Sequence, residues 1–473
     1  MHHASIESPV HGSPPGEFNA AFIWSVSLSG ALGGLLFGYD WVVIGGAKPF
    51  YESFFHLTDP LTQGWTISCA LVGCLAGALV SGRLTDRFGR KALLMAAAII
   101  FCVSSLGTAL ASSFAVFIAW RVTGGLAIGL ASSLSPMYIA EIAPAHQRGK
   151  LVALNQLTLV VGILLAQIAN WKIANPVPAG ATAATILMSW NGQMAWRWMF
   201  GVTAMPAALF FLGTLFLPES PRWLVQQGQR DKASRILARI GGHGYAAQVL
   251  SDMSAADPVV ETRGWVELFQ PRLRKVLILG CALAALQQWC GINIIFNYAE
   301  EVFSAAGYQV SDILFNIVIT GVVNLVFTVV ALFTIDRFGR RVLMLTGAGG
   351  LIVIYTALGT LYRMHSQGLH MLLLVVAAIA CYAMSLAPVT WVVISEIFPN
   401  RVRGVAMSVS ITVLWLACFV LTFTFPTLNK VLGASGTFFI YAFLCLVGFV
   451  YLFGALPETK GKSLEAIEEG LNG

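Results

Sequence analysis

Asp86-Arg87-Phe88-Gly89-Arg90-Lys91 returns about 250 residues later as Asp336-Arg337-Phe338-Gly339-Arg340-Arg341. Each copy closes an apolar stretch long enough to cross a bilayer. A second pair keeps nearly the same offset: Glu141 with Arg148-Gly149, then Glu396 with Arg403-Gly404. A third is Pro218-Glu219-Ser220-Pro221-Arg222, echoed by Pro457-Glu458-Thr459-Lys460. Duplication of one unit of six apolar segments accounts for all three.

The rest of the chain fits that unit. Hydrophobic residues make up 57% and charged residues 11% of 473 positions, with a mean hydropathy of +0.77. Soluble domains carry about 25% charged residues, so most of this chain lies in lipid. Twelve spans are expected, near 22–46, 62–82, 92–113, 115–139, 151–171, 196–217, 273–303, 312–335, 342–362, 371–396, 404–428 and 436–456. The predicted class is an all-α membrane protein, twelve transmembrane helices in two six-helix bundles with short cytoplasmic helices. The divisions are a disordered N-terminal tail over 1–20, an N-terminal bundle over 21–218, cytoplasmic linker helices over 219–272, a C-terminal bundle over 273–456 and a cytoplasmic tail over 457–473. Duplicated halves with a site between them are a common transporter architecture.

Charge fixes the orientation. Of 28 Lys and Arg, 22 fall in the loops after even-numbered spans or in the C-terminal tail. Lys48, Lys172, Arg197, Arg363 and Lys430 lie at the other face, and Arg121 lies within span 4. The positive-inside rule puts both termini in the cytoplasm. The net charge of +6 is thereby explained as topology, and no nucleic-acid partner is expected. Residues 1–20 lack the charged segment and apolar core of a signal peptide. The outer loops hold no Asn-x-Ser/Thr acceptor, which favours a bacterial inner membrane. The eight cysteines fall in spans without metal-type spacing and are expected to pack as small apolar groups; no metal or cofactor is expected. In the linker, Asp231 caps a short helix with Ala233, Ile236, Leu237 and Ile240 on one side, and Trp265, Val266, Leu268 and Phe269 form a second apolar face. Gly73 and Gly77, like Gly125 and Gly129, mark close helix contacts.

Two charges sit inside spans: Asp40 in span 1 and Arg121 in span 4. An isolated charge at the bilayer centre costs roughly 2.5–3.5 kcal/mol on insertion scales. Facing each other, the two groups form either a static ion pair or a proton-coupled one, because a change in their separation moves a proton on or off Asp40. The other intramembrane polar groups are mostly amides: Gln156 and Gln167 in span 5, Gln287, Gln288 and Asn293 in span 7, Asn324 in span 8. Amides match hydroxyl groups and carry no charge to attract an ion. A polyol ligand fits them; so, for any single amide, does an interhelical hydrogen bond. Trp391 and Trp415 offer flat faces for the C–H side of a sugar ring. On a straight helix Gln288 and Asn293 point about 140° apart. If both face one cavity, span 7 is broken at Gly291, as in helices lining transport paths.

The sequence resembles the sugar porter family of the major facilitator superfamily across nearly its whole length, and within it bacterial xylose–proton symporters. The carrying motifs are Gly82-Arg83-Leu84-Thr85-Asp86-Arg87-Phe88-Gly89-Arg90, Pro218-Glu219-Ser220-Pro221-Arg222-Trp223-Leu224, Gln287-Gln288-Trp289-Cys290-Gly291-Ile292-Asn293 and Pro457-Glu458-Thr459-Lys460-Gly461. The resemblance implies two six-helix bundles with alternating access to a central monosaccharide site. It implies sugar contacts at Gln156, Gln287, Gln288, Asn293, Asn324 and Trp391, with Phe37 and Trp415 nearby. It implies proton coupling at Asp40, with Arg121 as partner, and a cytoplasmic gating network of Asp86, Arg90, Glu141, Arg148, Glu219, Asp336, Arg340, Glu396 and Arg403. Ile163, Thr203, Asn297 and Leu414 depart from the xylose-symporter pattern. The function expected is a proton-coupled hexose or pentose symporter in the cell membrane, its partners a monosaccharide, protons and the bilayer. An uncoupled facilitative uniporter and a sugar sensor are the alternatives. No enzyme is expected, because the chain shows no nucleophile elbow, metal-ligand cluster or nucleotide loop.

Overall fold

The structure, a computed structural model, describes residues 18–178, 180–255, 270–399 and 402–458, without the side chains of Ser254, Ala255, Arg272, Asp336, Arg403 and Gly404. The apolar face expected at Trp265, Val266, Leu268 and Phe269 lies outside the described residues. So do the N-terminal tail up to residue 17 and the chain from Thr459 onward.

Among the described residues the chain is helical, and eleven stretches are long and apolar enough to cross a membrane. They are α1 (Ala20–Phe55), α2 (Pro60–Phe88), α3 (Arg90–Ala109), α4 (Phe114–Ile142), α5 (Ala145–Ile173), α6 (Asn191–Phe216), α7 (Leu273–Asn297), α8 (Val310–Ile335), α9 (Arg340–Arg363), α10 (Leu369–Ile397) and one of 51 residues, Val405–Ala455. At 1.5 Å per residue that last stretch is about 75 Å long, more than twice the hydrocarbon thickness. Gly433, with φ of 67°, breaks it into α11 (405–432) and α12 (434–455), which gives the twelfth crossing.

Helices win because lipid leaves every backbone polar group to be satisfied within its own segment. Local signals set the ends. Asp59 caps α2, its carboxylate accepting the Thr62 N–H at 3.0 Å, and Pro60 fills the first turn, where no donor is needed. The expected small-residue contact is present: a Cβ on Gly73 would lie 2.1 Å from the Val122 carbonyl, so α2 and α4 touch backbone to backbone. Large apolar side chains such as Phe216, Phe333 and Phe453 point outward, as lipid permits.

The crossings α1–α6 pack mainly on one another, as do α7–α12, and the two groups meet along α2 with α11 and α5 with α8. Helices Pro221–Gln226 and Arg230–Ala255 follow α6, the second interrupted at Gly241 and Gly242; Ala233, Leu237 and Ile240 are buried and Ile236 half-buried, while Asp231 lies within the first turn instead of capping it. On the face away from the Asp-Arg-Phe-Gly-Arg loops, the bundles are joined. Lys48 of α1 meets Glu301 at 2.8 Å, the Val177 N–H donates to the Ser311 hydroxyl at 2.9 Å, and Trp171 lies 5.4 Å from Phe315. On the loop face the pairs Arg90–Glu141 and Arg340–Glu396 each lie within one bundle.

Candidate functional site

Asp40 and Arg121 face each other. The guanidinium Nη1 donates to the Asp40 carboxylate at 2.7 Å, and the residues are 5% and 4% exposed. The Arg121 guanidinium also lies over the Phe200 ring at 5.3 Å, while its Nε has no hydrogen-bond partner among the described residues. A cavity of about 10 Å³, room for one water-sized sphere, adjoins the pair. Its lining includes Asp40, Trp41 and Arg121 from the first bundle and Asn297 and Thr422 from the second. The carboxylate therefore sits where the bundles meet.

The break in α7 is real. Helical geometry stops at Trp289, Gly291 takes φ of 85°, and a new helix runs Ile292–Asn297. A Cβ on Gly291 would lie 2.7 Å from the Tyr441 ring, so both conformation and space call for glycine here. The break turns Asn293 back toward the preceding turn, and its side-chain amide donates to the Gln288 side-chain oxygen Oε1. Gln288 donates in turn to Gln287 at 3.3 Å, and Gln287 donates to the Ala387 carbonyl of α10 at 3.0 Å. The three amides thus form one buried chain, all at most 8% exposed. Asn324 is buried on α8 and Gln156 half-buried on α5, neither with a hydrogen bond to that chain. Gln167 has both amide atoms buried without a partner, its oxygen packed against Gly321 of α8.

Phe37 and Trp415 come together across the bundles with ring centres 5.6 Å apart. Trp41 completes the cluster, 6.0 Å from Phe37 and 6.5 Å from Trp415. Sequence reading missed Trp41, although its place one turn after Phe37 and beside Asp40 was a usable signal. Trp391 does not join this cluster; it lies 37% exposed on α10.

At the loop face the duplicated motif has a duplicated purpose. The Arg90 guanidinium grips Glu141 through Nε and Nη2, both at 2.9 Å, and Arg340 meets Glu396 at 3.1 Å. Glu219 reaches back from the end of α6 to accept the N–H groups of Arg90 and Lys91 at 2.9 and 3.2 Å. Glu458 does the same for Arg340 and Arg341 at 2.9 and 3.1 Å. Each carboxylate satisfies the first, otherwise orphaned donors of a helix. Gly89 and Gly339 adopt φ of 87° and 89°, and a Cβ there would lie 2.4 and 2.7 Å from those carboxylates. The expected network is only partly assembled. Asp86 and Arg148 are exposed and, among the described residues, make no ion pair, while the side chains of Asp336 and Arg403 lie outside the description. Asp86 contributes its backbone carbonyl instead, which accepts from the Trp223 indole at 3.0 Å. Glu458 is a member that sequence reading noted as an echo of Glu219 without giving it a role.

Two six-helix bundles, joined at one face and enclosing an amide-lined centre with a buried carboxylate, define a membrane transporter of the major facilitator fold. Comparison with known proteins is consistent with this and narrower. A family model described as sugar (and other) transporter matches residues 26–471. The D-xylose-proton symporter of Escherichia coli K12 is 36% identical over 96% of both chains. The arabinose-proton symporter of Bacillus subtilis is 36% identical over 95% of both. The xylose transporter of E. coli, solved in a partially occluded inward-open conformation, superimposes with a TM-score of 0.82 at 35% identity, covering 94% of this chain and 100% of its own. The chain belongs to the sugar transporter family of the major facilitator superfamily.

Proposed function

We propose that this protein is a proton-coupled monosaccharide symporter, taking hexose or pentose by alternating access, with both termini in the cytoplasm of a bacterial inner membrane. The observation that carries the coupling is the buried Asp40–Arg121 pair, 2.7 Å apart and bordered by residues of both bundles. Protonation of Asp40 leaves a buried guanidinium without its counter-charge, a loss of roughly 3–5 kcal/mol for a buried pair. The chain recovers part of that by moving to a conformation in which water reaches Arg121. Loaded and empty carboxylates thus prefer different arrangements of the bundles, which is what coupling requires.

The sugar site is the amide chain of α7 with Asn324 and Gln156, flanked by Phe37 and Trp415. Gln287, Gln288 and Asn293 hydrogen-bond one another, and the hydroxyl groups of a sugar would replace those contacts with geometry-specific ones. Asp86, Arg90, Glu141, Arg148, Glu219, Asp336, Arg340, Glu396 and Arg403 form the gating network of the cytoplasmic face, and Trp391, one turn beyond the Ala387 that Gln287 reaches, adds a sugar contact from α10. The joined outer face and the likeness to an inward-open relative support an inward-facing state. Uptake of a labelled sugar panel into proteoliposomes, with and without an imposed inward proton gradient, tests the reading. A gradient-driven overshoot with a hexose or pentose is expected. Equal uptake with and without the gradient would favour the uniporter instead.

A further inference from the structure

At the outer face four ionisable groups meet that neither the sugar site nor the Asp40 pair uses. Lys48 is 3% exposed. Its ammonium lies 2.9 Å from Glu52 on its own helix, 2.8 Å from Glu301 and 3.5 Å from Glu300. The two glutamates belong to the opposite bundle, in the first turn of the helix Ala299–Ala305 that continues α7. We propose that Lys48, Glu300 and Glu301 are the outer latch of the transport cycle, made when the bundles close outside and broken when they part. This rests on the alternating-access reading above.

Three observations carry it. First, the ammonium is buried only because the bundles meet, and a buried lysine charge is tolerated only when paired. Glu52 holds Lys48 from its own side and is itself anchored by the Gln63 amide of α2 at 3.3 Å, so the first bundle presents a preassembled cation. The second bundle supplies two carboxylates on a segment fixed by Tyr298, whose hydroxyl donates to the Thr422 carbonyl, and by Tyr362, which donates to the Val302 carbonyl.

Second, the cluster is poorly satisfied for a permanent contact. Among the described residues, one oxygen each of Glu52 and Glu301 is buried without a hydrogen-bond partner, Glu300 reaches Lys48 only at 3.5 Å, and three carboxylates surround one ammonium. A static structural bridge would satisfy those atoms; a contact remade in every cycle need not. Third, the latch shares its helices with the central site. Lys48 follows Asp40 by eight residues on α1, and Glu301 follows Asn293 by eight residues along α7 and its continuation. Movement of the outer part of α7 onto a bound sugar therefore carries Glu300 and Glu301 toward Lys48.

Spin-label distances across the outer face test this. Labels at Thr58→Cys and Gln309→Cys, both exposed and in opposite bundles, are read by double electron–electron resonance in the full chain with native cysteines replaced. The parent is expected to give a dominant short distance. Lys48→Met leaves only carboxylates across the seam and lowers the closed-to-open ratio by about tenfold or more, given what loss of one partner of a buried pair costs. Lys48→Glu opens the seam further, and the exchange Lys48→Glu with Glu301→Lys closes it again. Parental distances in Lys48→Met, or an exchange variant no more closed than Lys48→Glu alone, overturns the latch. If Lys48→Met does not fold, Glu301→Gln serves: a smaller shift to the open distance supports the proposal and none refutes it. The readout needs neither sugar nor proton transport, so it stands apart from a failure of the coupling assay.

Discussion

Replacing Asp40 by Asn removes one negative charge and leaves an oxygen that still accepts from Arg121. In the parent that oxygen is 2.7 Å from the guanidinium, and both residues are at most 5% exposed. The hydrogen bond survives as an ordinary neutral one, about half as strong as its charge-assisted parent. The titratable proton is lost altogether. At 100 mV one coupled proton supplies about 2.3 kcal/mol, and at about 1.36 kcal/mol per decade this supports roughly 50-fold accumulation of a neutral sugar. Asp40→Asn is expected to bring that ratio to about one while sugar exchange between two equilibrated sides continues. Counterflow and gradient-driven uptake measured on one proteoliposome preparation separate the two activities. Accumulation that persists in Asp40→Asn would refute the assignment of the coupled proton to this carboxylate. Asp40→Ala also deletes the acceptor, and should cost a further 1–3 kcal/mol of stability, about that of leaving a buried donor unpaired.

Three further outcomes follow from the geometry. Asn293→Ala and Gln287→Ala each remove a member of the amide chain without adding bulk; sugar affinity, by intrinsic tryptophan fluorescence titration, should fall about tenfold or more per lost buried partner, and thermal unfolding should report a loss of about 1–3 kcal/mol from the neighbour left unpaired. Gly291→Ala drives a Cβ toward Tyr441 at a φ of 85° and should cost about 1–3 kcal/mol while abolishing transport; near-parental uptake would show that the break in α7 needs no glycine. Gly89→Ala and Gly339→Ala each push on the carboxylate capping the next helix. Each should lower the melting temperature with a penalty of at least about 1–2 kcal/mol, and the double variant should lose roughly the sum, since the sites are in separate bundles.

Much of the architecture could be read directly from the chain. The repeat predicted two bundles, and the conflicting directions of Gln288 and Asn293 predicted the break at Gly291, because helix phase is a property of the chain alone. The Asp40–Arg121 meeting followed from a comparable constraint: two lone charges in lipid seek each other. Other features depended on distances that no local pattern encodes. Span 1 is expected to stop near 46, yet α1 continues through Lys48 and Pro49 to Phe55. The charge is tolerated because Glu52 lies one turn on and Glu301 lies across the seam. Asp86 and Arg148 owed their place in the gating network to family resemblance, and neither makes an ion pair among the described residues. Glu458 stood in view as an echo of Glu219, but its grip on Arg340 and Arg341 depends on how the sixth crossing of a bundle returns to the third.

That return has a consequence for connectivity. Glu219 and Glu458 each clasp a helix end well over a hundred residues earlier in the same half, so each half carries its own clasp and borrows none from the other. Two separately translated pieces, one ending at residue 255 and the other starting at residue 270, are therefore expected to restore sugar uptake when produced together, each with its own helix-end clasp.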